Sequence, residues 1–112
     1  MKIDKKSADI SGRVMKLAEL VDYQDGTIVS KTIINKEAGT VTLFAFAEGQ
    51  GLSEHTAPFD AIVYIIDGEA EVLIAGKPFH PRAGDMIIMP ANKPHALKAV
   101  KEFKMLLVMV KK

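Results

Sequence analysis

The chain has 112 residues, 48% of them hydrophobic, with 15 Lys and Arg against 14 Asp and Glu and no cysteine. That length suits one domain with a real core, and a net charge of +1 offers no field to gather nucleic acid or an anionic membrane. Without cysteine there are no disulfides, thiolate ligands or thiol nucleophiles, and no apolar run reaches the roughly 18 residues of a membrane span.

Residues 1–12, MKIDKKSADISG, are polar and read as a loose leader. They lack the apolar core of a signal peptide, so the expected location is the cytoplasm. Val14, Leu17, Ala18 and Val21 follow the i, i+3, i+4, i+7 spacing of a short amphipathic helix. The segment is too brief to stand alone and would serve as a flap or edge element. Asp22–Gly26 reads as a turn, and from there the pattern is β. Strands are expected over Thr27–Asn35, Thr40–Glu48, Ala61–Ile66, Glu69–Ala75, Phe79–His80, Met86–Met89, His95–Val100 and Phe103–Val110. Asp67-Gly68 lies between two apolar runs and predicts a hairpin, because glycine takes φ > 0 without steric cost. Turns are expected at Lys36–Gly39, at AGKP (Ala75–Pro78) and at PRAGD (Pro81–Asp85). About eight or nine short strands with turn signals every 8–12 residues predict an antiparallel sandwich or barrel, here over residues 27–110 of a single 1–112 domain.

Phe103–Val110 is apolar on both faces, so one side should meet the core and the other a partner or the N-terminal element. With the positive mean hydropathy, this predicts a homodimer. The basic residues Lys98, Lys101, Lys104, Lys111 and Lys112, with Lys2, Lys5 and Lys6, read as solvated charge, since no aromatic residues are interleaved with them.

The chemistry rests on two stretches with a shared grammar. GQGLSEHTAPFDAIVYIIDG (Gly49–Gly68) carries His55, and GDMIIMPANKPHALKA (Gly84–Ala99) carries His95. On an extended segment His55, Ala57, Phe59 and Ala61 share a side. His95 alternates with Lys98 and so faces inward with Leu97. An inward imidazole needs a hydrogen-bond partner, a metal or a water. The ordinary reading of a lone histidine is a satisfied core residue, but two in matching settings point to a shared pocket. Candidate walls are Phe44, Phe46, Phe59, Tyr64, Met89, Leu97, Met105 and Leu107; simple core packing would explain each equally well. His80 reads as a surface residue, and Glu48, Glu54 and Asp60 as solvated carboxylates.

Those two stretches resemble the two motifs of the cupin superfamily in its small single-domain form (cupin 2 type). His55 and Gly68 fill the first and last places of the first motif. Ala57 and Ala61 stand where a second histidine and a glutamate would be. Gly84, Pro90 and His95 match the second motif, with Asn92 in place of a glycine and Ala99 in place of an asparagine. The resemblance implies an all-β antiparallel double-stranded β-helix, or jelly-roll, with a conical cavity. In metal-binding members of that superfamily three histidines and a glutamate hold one divalent ion there.

This chain keeps two of those four donors, His55 and His95. Tight sites normally supply three or four protein ligands, so iron or manganese is not expected, while zinc, nickel or copper would be held weakly on the two imidazoles. The first expectation is therefore a cavity that binds a small molecule, such as a carboxylate or a carbonyl compound, at His55 and His95. One alternative is a metal-dependent isomerase, decarboxylase or oxygenase acting on a small acid. Another is a structural or regulatory module with a vestigial site. Neither a nucleophile nor an oxyanion partner is visible beside the histidines, so the sequence leaves catalysis open.

Overall fold

The computed structural model describes residues 10–111 and the backbone of residues 2–4. The strands are β1 (Lys2–Asp4), β2 (Ile28–Lys36), β3 (Gly39–Phe46), β4 (Gly51–His55), β5 (Asp60–Gly68), β6 (Glu71–Ile74), β7 (Lys77–Phe79), β8 (Met86–Met89), β9 (His95–Lys98) and β10 (Phe103–Val110). They form two sheets, one ordered β1-β2-β3-β10-β5-β8 and the other β4-β9-β6-β7. Every pairing is antiparallel except the parallel contact of β1 with β2. The two sheets close over a shared core, which is the jelly-roll that the resemblance implied. Within the expected leader, Lys2–Asp4 forms a strand beside β2; the rest of it as far as residue 9, Lys5 and Lys6 included, and Lys112 lie outside the described residues.

Alternation along β10 sets the core. Phe103 and Met105 are fully buried and pack with Phe46, Val63, Ile65 and Val72, while Leu107 and Met109 continue the same face. The Phe46 and Phe103 rings stack at 4.4 Å between centroids and 12° between planes, an arrangement worth more than its buried area alone.

The outer face of the larger sheet is partly covered by the chain's own N-terminal segment. Val21, Leu43 and Ala45 are buried there, with Leu17, Leu20, Tyr23 and Leu106 packed around them. The expected helix is a single 3-10 turn, Leu17–Glu19. Val14 is fully exposed and Val21 buried, so the apolar spacing does not close into one stripe. Lys16 also provides no side-chain cap, and a segment this short cannot sustain helix nucleation. Two polar contacts pin the flap. Tyr23 donates its hydroxyl to Asp67 Oδ2 at 2.5 Å, and Lys104 Nζ donates to the Ala18 carbonyl oxygen at 2.6 Å. Burial first, and then the bond to Asp67, raise the Tyr23 pKa, so this hydroxyl stays protonated.

The hairpin expected at Asp67-Gly68 is not one. β5 runs through both residues and pairs with β10 and β8, whereas β6 pairs with β7 and β9 in the other sheet. Gly68 has φ 77°, and a Cβ there would overlap the Glu102 carbonyl oxygen. The glycine is needed because β5 passes this close to β10 opposite Phe103; the bulge in that pairing lies two residues earlier, at Ile66, opposite the step from Lys104 to Met105. The two-residue hairpin joins β6 to β7 at Ala75 and Gly76, with φ 50° and 79°, within the turn expected at 75–78. β7 starts at Lys77 rather than Phe79, and it tolerates Pro78 because it is an edge strand. Among the described residues no helix is long and apolar enough to cross a membrane.

Candidate functional site

β4 was not foreseen as a strand. It is short, mostly exposed and carries Gly51, Ser53 and Glu54, so it lacks the β-branched run that marks a strand. It pairs antiparallel with β9, and His55 stands opposite His95. This pairing makes cross-strand neighbours of two histidines 40 residues apart. Their Nε2 atoms are 3.1 Å apart, and the rings meet at 72° with centroids 4.4 Å apart.

The two rings have different surroundings. His95 is 5% exposed, while His55 sits at the solvent edge. Desolvation lowers the His95 pKa, the neighbouring His55 lowers it further, and the hydrogen bond at the Lys93 carbonyl partly offsets them. His95 is thus held neutral more firmly than an imidazole in water. Each ring is oriented from behind by backbone. The Nδ1 of His55 lies 2.8 Å from the Ser53 carbonyl oxygen, and that of His95 3.2 Å from the Lys93 carbonyl oxygen. The connections around the mouth are stitched together as well. Asn92, at φ 64°, donates its backbone N–H to the Ala57 carbonyl oxygen at 2.8 Å, and the Ala91 N–H bonds Asp60 Oδ1 at 2.8 Å.

The imidazoles face a cavity of about 190 Å³. His55, Ala57, Phe59 and Ala61 form one wall, His95 and Leu97 continue it along β9, and Met89, Leu107 and Met109 close it from the larger sheet, with Leu52 beside them. Both alanines at the missing ligand positions therefore line the cavity. Of the expected walls, Phe59, Met89, Leu97 and Leu107 are there. Phe44, Phe46 and Met105 instead pack in the core. Tyr64 turns outward, because the buried residues on either side of it, Val63 and Ile65, take the inner face of β5. The sequence reading missed Leu52 and Met109. The alternation Phe103, Met105, Leu107 pointed to Met109; nothing marked Leu52. Thr40, opposite Met109 on β3, has a buried Oγ1 with no hydrogen-bond partner.

Two side-chain ion pairs lie elsewhere. His80 contacts Glu71 at 3.2 Å and Arg82 contacts Glu69 at 3.4 Å, beside a hollow of about 500 Å³ that Val100 and Lys101 also line. Both pairs are substantially exposed and contribute little.

Two Nε2 atoms 3.1 Å apart can share a proton, or can take adjacent positions on one ion. At the usual Zn–N length of about 2.0–2.1 Å, that spacing subtends roughly 100° at the metal. Among the described residues, no set of three or more His, Cys, Asp or Glu side chains is placed to complete such a site.

Residues 42–111 match the family model described as Cupin domain. A conserved protein of unknown function from Streptococcus pyogenes is similar in structure at TM-score 0.88 with 34% identity, over 100% of this chain and 96% of that one. A cupin 2 conserved barrel domain protein from Leptotrichia buccalis is similar at TM-score 0.85 with 45% identity, over 87% of this chain and 47% of that one. Among curated proteins, a polyketide synthase CurC from Streptomyces cyaneus is 27% identical over 75 residues, which is 66% of this chain. The chain spans about half the length of that relative, 49%.

Proposed function

The chain belongs to the cupin domain family, and from that premise we propose that it binds a compact, largely apolar small molecule in the barrel cavity, with His55 and His95 as the polar anchors. The convergence of two Nε2 atoms at 3.1 Å inside an otherwise apolar pocket carries this reading. Pockets of this kind take their affinity from apolar walls and their orientation from a few polar atoms. An engineered cavity of about 150 Å³ accommodates benzene, so about 190 Å³ here suits a single small ring or a branched chain.

The donors present do not fit the full metal set of the family. Alanine at 57 and 61 supplies neither lone pair nor negative charge, so a zinc, nickel or copper ion would rest on two imidazoles and water. Such an ion is expected to be weakly held. Elemental analysis of protein purified without chelator tests both points. Less than about one-tenth of an ion per chain is the expected result, whereas a stoichiometric ion that activates turnover would move the protein to the metal-dependent enzymes. Native mass spectrometry of the same preparation tests ligand binding directly. A small molecule retained by the wild type and lost from His55→Ala and His95→Ala supports the reading; retention by both variants overturns it.

The same proposal includes a homodimer. Ile34, Val41, Val108, Ile62 and Ile88 are cross-strand partners in one row over the outer face of the larger sheet, and Ile34 and Ile88 are 49% exposed. A two-fold axis would lay this uncharged row on its own copy. Light scattering at micromolar concentration should give a dimeric mass that falls to the monomer in Val108→Lys. A monomeric wild type would exclude it.

A further inference from the structure

Resting on the reading that this cavity binds a small molecule, we infer that Thr40 is a further polar anchor of the site and that the ligand is a neutral molecule carrying a hydroxyl or carbonyl oxygen. Thr40 Oγ1 is orphaned. Among the described residues it is the buried side-chain oxygen that has no hydrogen-bond partner. Buried hydroxyls are nearly always bonded, and one left alone costs stability.

Its place in the sheet shows where a partner can come from. β3 pairs with β10 without a break in register, and Thr40 stands opposite Met109. Alternation along β3 puts Thr40 and Thr42 on the side of Phe44 and Phe46, the core face, while Leu43 and Ala45 pack beneath the N-terminal segment on the other. The row Met89, Ala61, Met109, Thr40 thus runs across β8, β5, β10 and β3 on one face. The first three of these line the cavity, and adjacent strands lie about 4.8 Å apart. The hydroxyl is one strand beyond the wall, with Met109 between. Methionine is the wall residue best able to give way, because it is unbranched and turns about three bonds. A ligand that moves the Met109 side chain aside reaches Oγ1 from within the cavity.

The surroundings of the hydroxyl set the chemistry of that ligand. A threonine hydroxyl both donates and accepts, so a hydroxyl or a carbonyl oxygen satisfies it. No carboxylate, lysine or arginine lines the cavity. An ionised group carried to Thr40 would give up its water with no opposite charge to meet. A pure hydrocarbon would leave Oγ1 as it stands. The two histidines belong to the smaller sheet and Thr40 to the larger, so the ligand is held from both sheets with its apolar part between them.

The test titrates full-length, metal-free wild type, Thr40→Val and Thr40→Ser with toluene, benzyl alcohol, acetophenone, benzylammonium and benzoate, following methyl NMR signals of the cavity residues. Valine keeps the shape of threonine and removes only the hydroxyl. Benzyl alcohol or acetophenone should bind Thr40→Val roughly 3- to 10-fold more weakly than wild type, the worth of one hydrogen bond, while toluene changes by less than about 2-fold. Thr40→Ser should keep the wild-type affinity, which a purely structural role for the side chain does not require. Without ligand, Thr40→Val should unfold at an unchanged or higher urea midpoint; a clearly lower one would show that Oγ1 is already bonded, and would overturn the inference. If the oxygen-bearing probes bind wild type and Thr40→Val alike, Thr40 is no anchor and the inference fails, while toluene binding leaves the broader reading of the cavity standing. A charged probe that loses as much affinity as the alcohol overturns the neutral class. Should no probe perturb the cavity signals, this inference and the binding function fall together.

Discussion

The two ends of the barrel interior are built from the same strands and behave as opposites. On β10, Phe103 and Met105 are fully buried, and two residues further on Leu107 and Met109 border empty space. On β5, Ile65 and Val63 fill the core where Ala61 leaves room. One end is closed by the Phe46–Phe103 stack; the other stays open because Ala57 and Ala61 take up so little volume. Hydrophobic character is similar at both ends, so the cavity is a matter of side-chain size and of where the imidazoles point, not of polarity. Dense packing is the default of a protein interior, and here the default is suspended at one end.

The largest expected contrast comes from truncation. Phe46→Ala should cost about 3–5 kcal/mol, since it removes a fully buried ring and leaves a cavity beneath Phe103. Urea unfolding measures it, and a loss below about 1 kcal/mol would mean that the closed end is not packed as described. Enlargement sharpens the comparison next. Ala70→Leu, in the dense core, should cost about 1–3 kcal/mol. Ala61→Leu points into the cavity and should cost less than about 1 kcal/mol, while it blocks uptake of any cavity ligand. Equal costs for the two variants would erase the distinction between the ends.

The pH response tests the open end in another way, through the buried ring of His95. His95 binds a proton less readily in the folded chain than in the unfolded one. Its contribution to stability is therefore complete above the unfolded value of about 6.5 and is lost as pH falls through the lower folded value. His95→Gln should flatten that part of the stability profile, measured as urea midpoint against pH, and an unchanged slope would count against the buried neutral ring. The smallest effect is expected outside the barrel. Tyr23→Phe removes the bond to Asp67 and should cost about 1 kcal/mol, with no effect on ligand uptake at the far face of the sheet.

Much of the scaffold could be read from residue pattern. Met86–Met89 and Phe103–Val110 are strands at the expected bounds, and the inward turn of His95 with Leu97 follows from alternation against Lys98. The errors have a common origin, which is that local grammar does not state who pairs with whom. Asp67-Gly68 looked like a hairpin because the same dihedral freedom serves a strand that passes close against its neighbour. β4 went unnoticed because a polar edge strand has no apolar signature. Tyr64 was placed among the walls because Ala61–Ile66 is apolar on both faces, so parity alone could not choose a side.

By itself the sequence determined that this is a β-barrel domain, that two histidines sit in matching settings, and that alanine stands at the two positions where the resemblance to metal-binding cupins would place further ligands. Side-chain chemistry and the two-residue period of a strand are local properties, and a linear reading captures them. That His55 faces His95 across adjacent strands, that their Nδ1 atoms are tied to backbone carbonyls, and that a cavity forms before them were decided only by the tertiary structure. Those features depend on register between segments far apart in the chain, and register is set by how the whole sheet closes over its core.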